Sequence, residues 1–273
     1  MAFALSNFIP TNVVTGLMIE SLRKNLVFGN LVTTSTPANI GMGSSYKIPG
    51  VGAITVRDYA GSAITVEEMA DIGSTVTIDQ AKYFAFNADY VDNAETAYNV
   101  LPAYIEQASY GLASAIDTYV ASALVSSASA QIVTGGTLDV TTVLDWFADV
   151  QKKFDVHNVP ATGRYVVVPA SVTSLLLKAN LTKNMAGADI AQGSVANVFG
   201  IDVYMSNNLK QGSTSATAMA IGGVKNAADL ILTLKDVESV VSPTRFATVE
   251  RGLAVYGAAV RNWGAIINSD ITK

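Results

Sequence analysis

His157 is the one histidine in 273 residues, and there is no cysteine. A Ser-His-Asp triad, or most zinc sites, would have to be built on that residue. It sits in "DVHNVP", between a helical pattern and a strand pattern, and reads as structural or solvent-exposed. The missing cysteines exclude a disulfide framework, a thiolate nucleophile and a Cys-based metal site. Ser-x-x-Lys occurs twice, as Ser21–Lys24 and Ser44–Lys47. A catalytic pair of that kind needs its serine at a helix start inside a pocket, with companion motifs that this chain lacks. "GMGSSY" at 41–46 neither completes a dinucleotide fingerprint nor opens a helix, and there is no P-loop. Glu67 and Glu68 point to opposite sides of a strand, and Asp89 and Asp92 flank a turn as caps, so the carboxylates form no acid–base pair. Trp146 and Trp263 read as packing residues, Lys47 and Lys82 as solvated ones. A Lys–Asn crosslink between subunits would need a nearby acid and an apolar pocket, which a sequence does not display. The expected catalytic, cofactor-binding and metal sets are therefore all none, and the protein is expected not to be an enzyme.

Composition narrows the class further. Half the residues are hydrophobic, and 14% are charged against the usual ~25% of soluble domains. Such a chain can bury a sizeable core and still give much of its surface to protein contacts. The net charge is −5 with no basic cluster, which excludes tight electrostatic nucleic-acid binding. "MAFALSNFIP" lacks the positive start of a signal peptide, and no run of 18 apolar residues predicts a membrane span.

The elements that would position any function follow from periodicity. Pro102 to Val125 reads as one long helix, with Ile105, Leu112, Ile116, Tyr119 and Ala123 on an apolar stripe. A second stripe, Ala108, Gly111, Ala115, Thr118 and Ser122, is small enough for another backbone to approach. From Tyr83 to Gln151 there is no Lys or Arg but eight acids, Asp117 among them, so the surroundings of this helix should repel polyanions. Residues 1–40 read as an arm with a helix from about Asn12 to Phe28, and this arm and residues 44–90 are expected to lack sufficient home contacts and to complete their bonding on sister copies. Residues 41–90 read as β structure: strands at 45–49 and 53–59, a short one at 64–68, and a breaker-free run from Ser74 to Asp89. Sixteen strand residues would reach ~50 Å, so this hairpin is expected to project, with Arg57, Asp58, Glu67, Glu68 and Asp71 near its distal half as inter-subunit ion-pair candidates. Beyond it come a helix at 143–154 capped by Asp139 or Thr141, the strand "RYVVV" at 164–168, a helix opened by Pro169, a loop at 180–197, and strands at 201–205 and 217–221. Residues 227–234 are left open between helix and strand, and the chain closes on long β structure. The terminal strands are expected to lie beside the long helix.

The stretch "SSYKIPGVGAITVRDYAGSAITVEEMADIGSTVTIDQAKYFAFNADYVD", followed by "AYIEQASYGLASAIDTYVASAL", resembles the extended loop and spine helix of tailed-bacteriophage major capsid proteins with the HK97-like fold, in particular a branch with a P22-coat-like signature. The resemblance implies an α+β chain divided into an N-arm (1–40), an E-loop (41–90), a peripheral (P) domain (91–130 with 240–273) and an axial (A) domain (131–239). It implies hexamers and pentamers of the chain itself in an icosahedral shell around double-stranded DNA, assembled in the host cytoplasm. Scaffolding, portal and decoration proteins are its implied partners, with the DNA contacted weakly and no membrane. An encapsulin-like cargo compartment is the alternative within the fold. A small hydrolase and a tail-tube component are alternatives outside it.

Overall fold

In a computed structural model, the protein is described over residues 26–37, 41–50, 54–58, 73–89, 101–126, 131–179, 194–242 and 247–272, with Leu22, Val66, Glu68 and Thr244. Two sheets meet at one long helix. The first has strand order β1-β10-β11-β4: β1 Thr33–Ser35, β10 Ala228–Val241, β11 Ala247–Val260 and β4 Gln80–Asp89. The second has order β5-β12-β9-β6-β8-β7: β5 Gln131–Ile132, β12 Ile267–Thr272, β9 Thr217–Val224, β6 Arg164–Val168, β8 Ile201–Met205 and β7 Ser194–Val198. A small hairpin pairs β2 Ser45–Ile48 with β3 Ser74–Thr77. The helices are α1 Phe28–Leu31, α2 Leu101–Ser126, α3 Thr142–Val156 and α4 Ala170–Lys178.

The long helix α2 forms as its periodicity predicts. Ile105, Leu112 and Ile116 are buried, joined by Val120 and Leu124. The small stripe behaves differently: Gly111 is exposed, with nothing within 4 Å of where its Cβ would stand. The close approaches fall instead on Ser109, Ala113 and Ala121, which are buried.

β6 is the centre of the second sheet, buried along its whole length between β9 and β8. Its run of valines suits a strand covered on both faces. Phe147, Val150 and Phe154 of α3, and Val172 and Leu176 of α4, supply that cover. Asp139 caps α3, accepting the amides of Thr141 and Thr142, and these bonds with the Thr141 hydroxyl hold its carboxyl down to about 2. Between β7 and β8 the chain reverses at Phe199 and Gly200, both with positive φ, which is the two-residue turn that matches strand twist.

Arg164 starts β6 with its side chain buried. It donates to the carbonyls of Val159 and Pro160, lies over the Phe154 ring and pairs with Asp155 at 2.8 Å. Arg164→Ala should cost about 2–3 kcal/mol, chiefly by stranding two carbonyls, read as a lower denaturant midpoint at unchanged slope.

Three expectations need correction. Ser74–Asp89 is not one strand, because the ribbon breaks at Ile78–Asp79 and its second half pairs with β11 from Gln80 to Asp89. The arm is not without home contacts: Phe28 is fully buried, β1 adds to β10, and Thr233 donates to the Pro37 carbonyl. Ser194–Val198 is strand, not loop. Around residue 240, β10 runs on within the first sheet, while β12 pairs with β9 and Trp146 Nε1 donates to Ser269. The expected helix at 12–28 falls mostly outside the described residues.

Candidate functional site

The first sheet has two different faces, because antiparallel partners share a side. Leu230, Leu232, Ala254 and Tyr256 face α2. Ile231, Val255 and Ala81 face away, and the β2–β3 hairpin covers them with Val76 and Ile78, both fully buried. Thr75, Thr77 and Asp79 turn outward, as their alternation with Val76 and Ile78 requires. Here Gly257 matters: a Cβ on it would meet the Thr77 carbonyl oxygen at 2.3 Å.

The hairpin's root is tied in three places. Gly43 donates to the Ile78 carbonyl, Ile78 donates to that of Ser44, and the Tyr119 hydroxyl donates to Asp79 Oδ1 at 2.6 Å. Burial, with the facing Asp79 carboxylate, pushes the Tyr119 phenol well above its ordinary value, so it remains a donor. Tyr119 also packs edge-on against Tyr256. Tyr119→Phe keeps that packing and removes the tie, and should cost about 1 kcal/mol, with faster hydrogen exchange at Ile78 as the readout.

Residues 54–58 adopt no strand and are all exposed, as are Val66 and Glu68. Val56 is 95% exposed, Val66 87% and Ile54 70%. Solitary exposed apolar residues need no explanation, but three between β2 and β3, each at least 70% exposed, leave more apolar area in water than such a short stretch usually does. Of the ion-pair candidates, Arg57, Asp58 and Glu68 lie exposed on this loop, whereas Glu67 and Asp71 fall outside the described residues. Arg57 already has an interaction within the chain.

A row of aromatic side chains lies along β4, its two phenylalanines half-buried against the core. Phe84, Phe86 and Tyr104 stack in a row, and Tyr83, on the opposite face of β4, is 78% exposed. β4 is the sheet's outer strand, so its far edge has no strand beside it among the described residues. Sequence reasoning missed this row, although "YFAF" beside a helix carrying Tyr104 was its signal.

No arrangement for covalent chemistry is found among the described residues. His157 is exposed, its ring nitrogen meeting the Lys153 carbonyl, and no cluster of metal-ligating side chains occurs there. No described helix is long and apolar enough to cross a membrane. Asp117, counted among the surface acids from sequence, is fully buried and adds nothing to the surface charge around α2.

A family model described as phage capsid protein matches residues 71–269. No curated protein sequence matches the chain. Among solved structures it is similar to that of Mycobacterium phage Che8, at 27% identity and TM-score 0.65, covering 89% of this chain and 90% of that one. The capsid of cyanophage P-SCSP1u aligns at 19% identity and TM-score 0.68, over 92% and 89% of the two chains. A virus-like particle from Pyrococcus furiosus aligns at 11% identity and TM-score 0.60, over 93% and 96%. The last two likenesses speak for the fold alone.

Proposed function

We propose, from the premise that this chain belongs to the phage capsid protein family and is a virion major capsid protein that self-associates into an icosahedral shell, that the loop between β2 and β3 makes the contact between copies. The observation that carries this reading is the exposure of Ile54, Val56 and Val66 between two strands whose root is bonded to the body. A strap laid on a neighbour gains backbone hydrogen bonds and apolar burial without a deep pocket. The neighbour's receiving surface in this reading is the open edge of β4 with Tyr83, and the rim ion pairs use Arg57, Asp58 and Glu68, joined by Glu67 and Asp71.

In the same reading the copies group as hexamers and pentamers around double-stranded DNA. The acids near α2 keep the lumen from gripping the genome, since a basic wall would hold polyanions. Scaffolding, portal and decoration proteins are further partners, and no catalysis is assigned. We divide the chain as N-arm 1–40, E-loop 41–79, a P domain of α2 with β4, β10 and β11, and an A domain of α3, α4 and the second sheet. The P22-like branch is an assignment of the same standing.

Negative-stain imaging of purified full-length protein tests the contact, with closed particles expected. Their nucleic-acid content then separates a genome shell from a cargo compartment. Dispersed monomers at high concentration would overturn the loop's role.

A further inference from the structure

Midway along α2, the side chain of Asp117 points into the body and is fully buried. Its two oxygens accept three backbone amides from the arm: Oδ2 takes Val27 N at 2.8 Å, and Oδ1 takes Phe28 N at 3.1 Å and Gly29 N at 3.4 Å. One carboxylate thus satisfies the amides that open α1, across 88 to 90 residues of chain. These three amides are its only partners among the described residues, and no cation pairs with it there.

The surroundings hold little that could compensate a charge. Segment 26–31 is Leu-Val-Phe-Gly-Asn-Leu, with nothing that ionises. Next to Asp117 on its own helix, Ala113, Ile116, Val120 and Ala121 are buried and apolar. β11 brings Tyr256 to α2, and β4 brings Lys82, which is exposed. Asp79 is bound to Tyr119. On β10, Asp229 is locked to Arg261 by two bonds at 2.9 and 2.5 Å. β9 and β1 carry no ionisable side chain.

We propose that Asp117 is a proton-linked latch for the arm: segment 26–31 is held most tightly on α2 when the Asp117 carboxyl carries a proton, and its grip weakens as the solution approaches neutrality. The physical reason is a competition. Three N–H donors favour the carboxylate, but complete burial, with no cation paired to it among the described residues, disfavours it more. Burial wins and pushes the carboxyl from 3.8 up to about 6, against the lowering effect of the amides. When the arm lifts away, water reaches Asp117 and the ordinary acidity returns. The docked form therefore binds a proton that the open form releases. Docking is strongest below about pH 4 and loses that contribution progressively as pH rises through about 6.

The apolar contacts of the arm do not titrate. Phe28 is fully buried, and Leu26, Leu31 and Val32 are nearly so, which keeps the arm predominantly docked at either pH. Proton release changes the small population that opens. A neutral-pH solution would therefore see the looser arm. The inference stands on contacts within one chain and does not require the shell reading.

Hydrogen exchange in the full-length protein tests it, with rates corrected for the intrinsic pH dependence. Protection over peptide 26–31 should be about ten-fold greater at pH 5 than at pH 7.5, while β6 amides at 164–168 stay constant. Asp117→Asn, which cannot ionise, should give equal protection at the two pH values. Three results would each overturn the proposal: a flat wild-type profile, a ten-fold change that survives in Asp117→Asn, or β6 amides that move in parallel with the arm. Should the variant not fold, the wild-type series against β6 still decides. Shell imaging is unaffected by any of these outcomes.

Discussion

Removing residues 50–70 leaves a subunit that folds and does not assemble. The excised stretch begins just beyond β2 and ends before β3, whose ends face each other at Ile48 and Ser74. Of the removed residues that the structure describes, Gly50 is half-buried and the others are exposed, and none of them belongs to the buried core. Shortening the connection also reduces its closure entropy, which offsets the little packing that the excised stretch provides. Far-UV circular dichroism and the thermal midpoint should stay close to those of the parent, while sedimentation shows small species in place of shells. Normal shells from the deletion protein would remove the loop from the contact between copies.

The second large effect comes from one hydrogen atom. Gly257→Val places a branched side chain where the Thr77 carbonyl oxygen is 2.3 Å and the Ile78 Cα 3.0 Å from the new Cβ. Both are backbone atoms that no rotamer change can move. The hairpin must lift from the sheet, exposing Val76, Ile78, Ile231 and Val255. The loss should be about 3–4 kcal/mol, from apolar surface returned to water and strain at the contact. It should appear as a lower denaturant midpoint and as failed assembly, because the loop loses its fixed root. Gly111→Ala is the contrast: with open space at its Cβ in mid-helix, it should stabilise by up to about 1 kcal/mol. If both variants match the parent in stability, the hairpin does not sit on β11.

Local pattern carried a good deal of this protein. The helix read at 102–125 runs from Leu101 to Ser126, "RYVVV" is a buried strand, and Pro169 stands at the start of a helix. Each was legible because a 3.6-residue or unbroken apolar pattern, with its proline or acidic start signal, lies within a dozen neighbouring residues. The wording of residues 44–125 resembled capsid chains, and the family match over 71–269 places the chain there.

What the tertiary structure decided is which distant segments meet. Ser74–Asp89 reads as one strand because nothing local breaks it, yet it splits where Ile78 enters one core and Asp79 reaches Tyr119. β12 follows β11 closely in sequence and joins the other sheet, because pairing depends on which edge is free rather than on order along the chain. Asp117 looked like a surface acid since its partners are backbone amides, and every residue but proline has one. A sequence states which groups a chain carries and how they repeat along it. Only folding settles which carboxylate loses its water and which loop is left facing it.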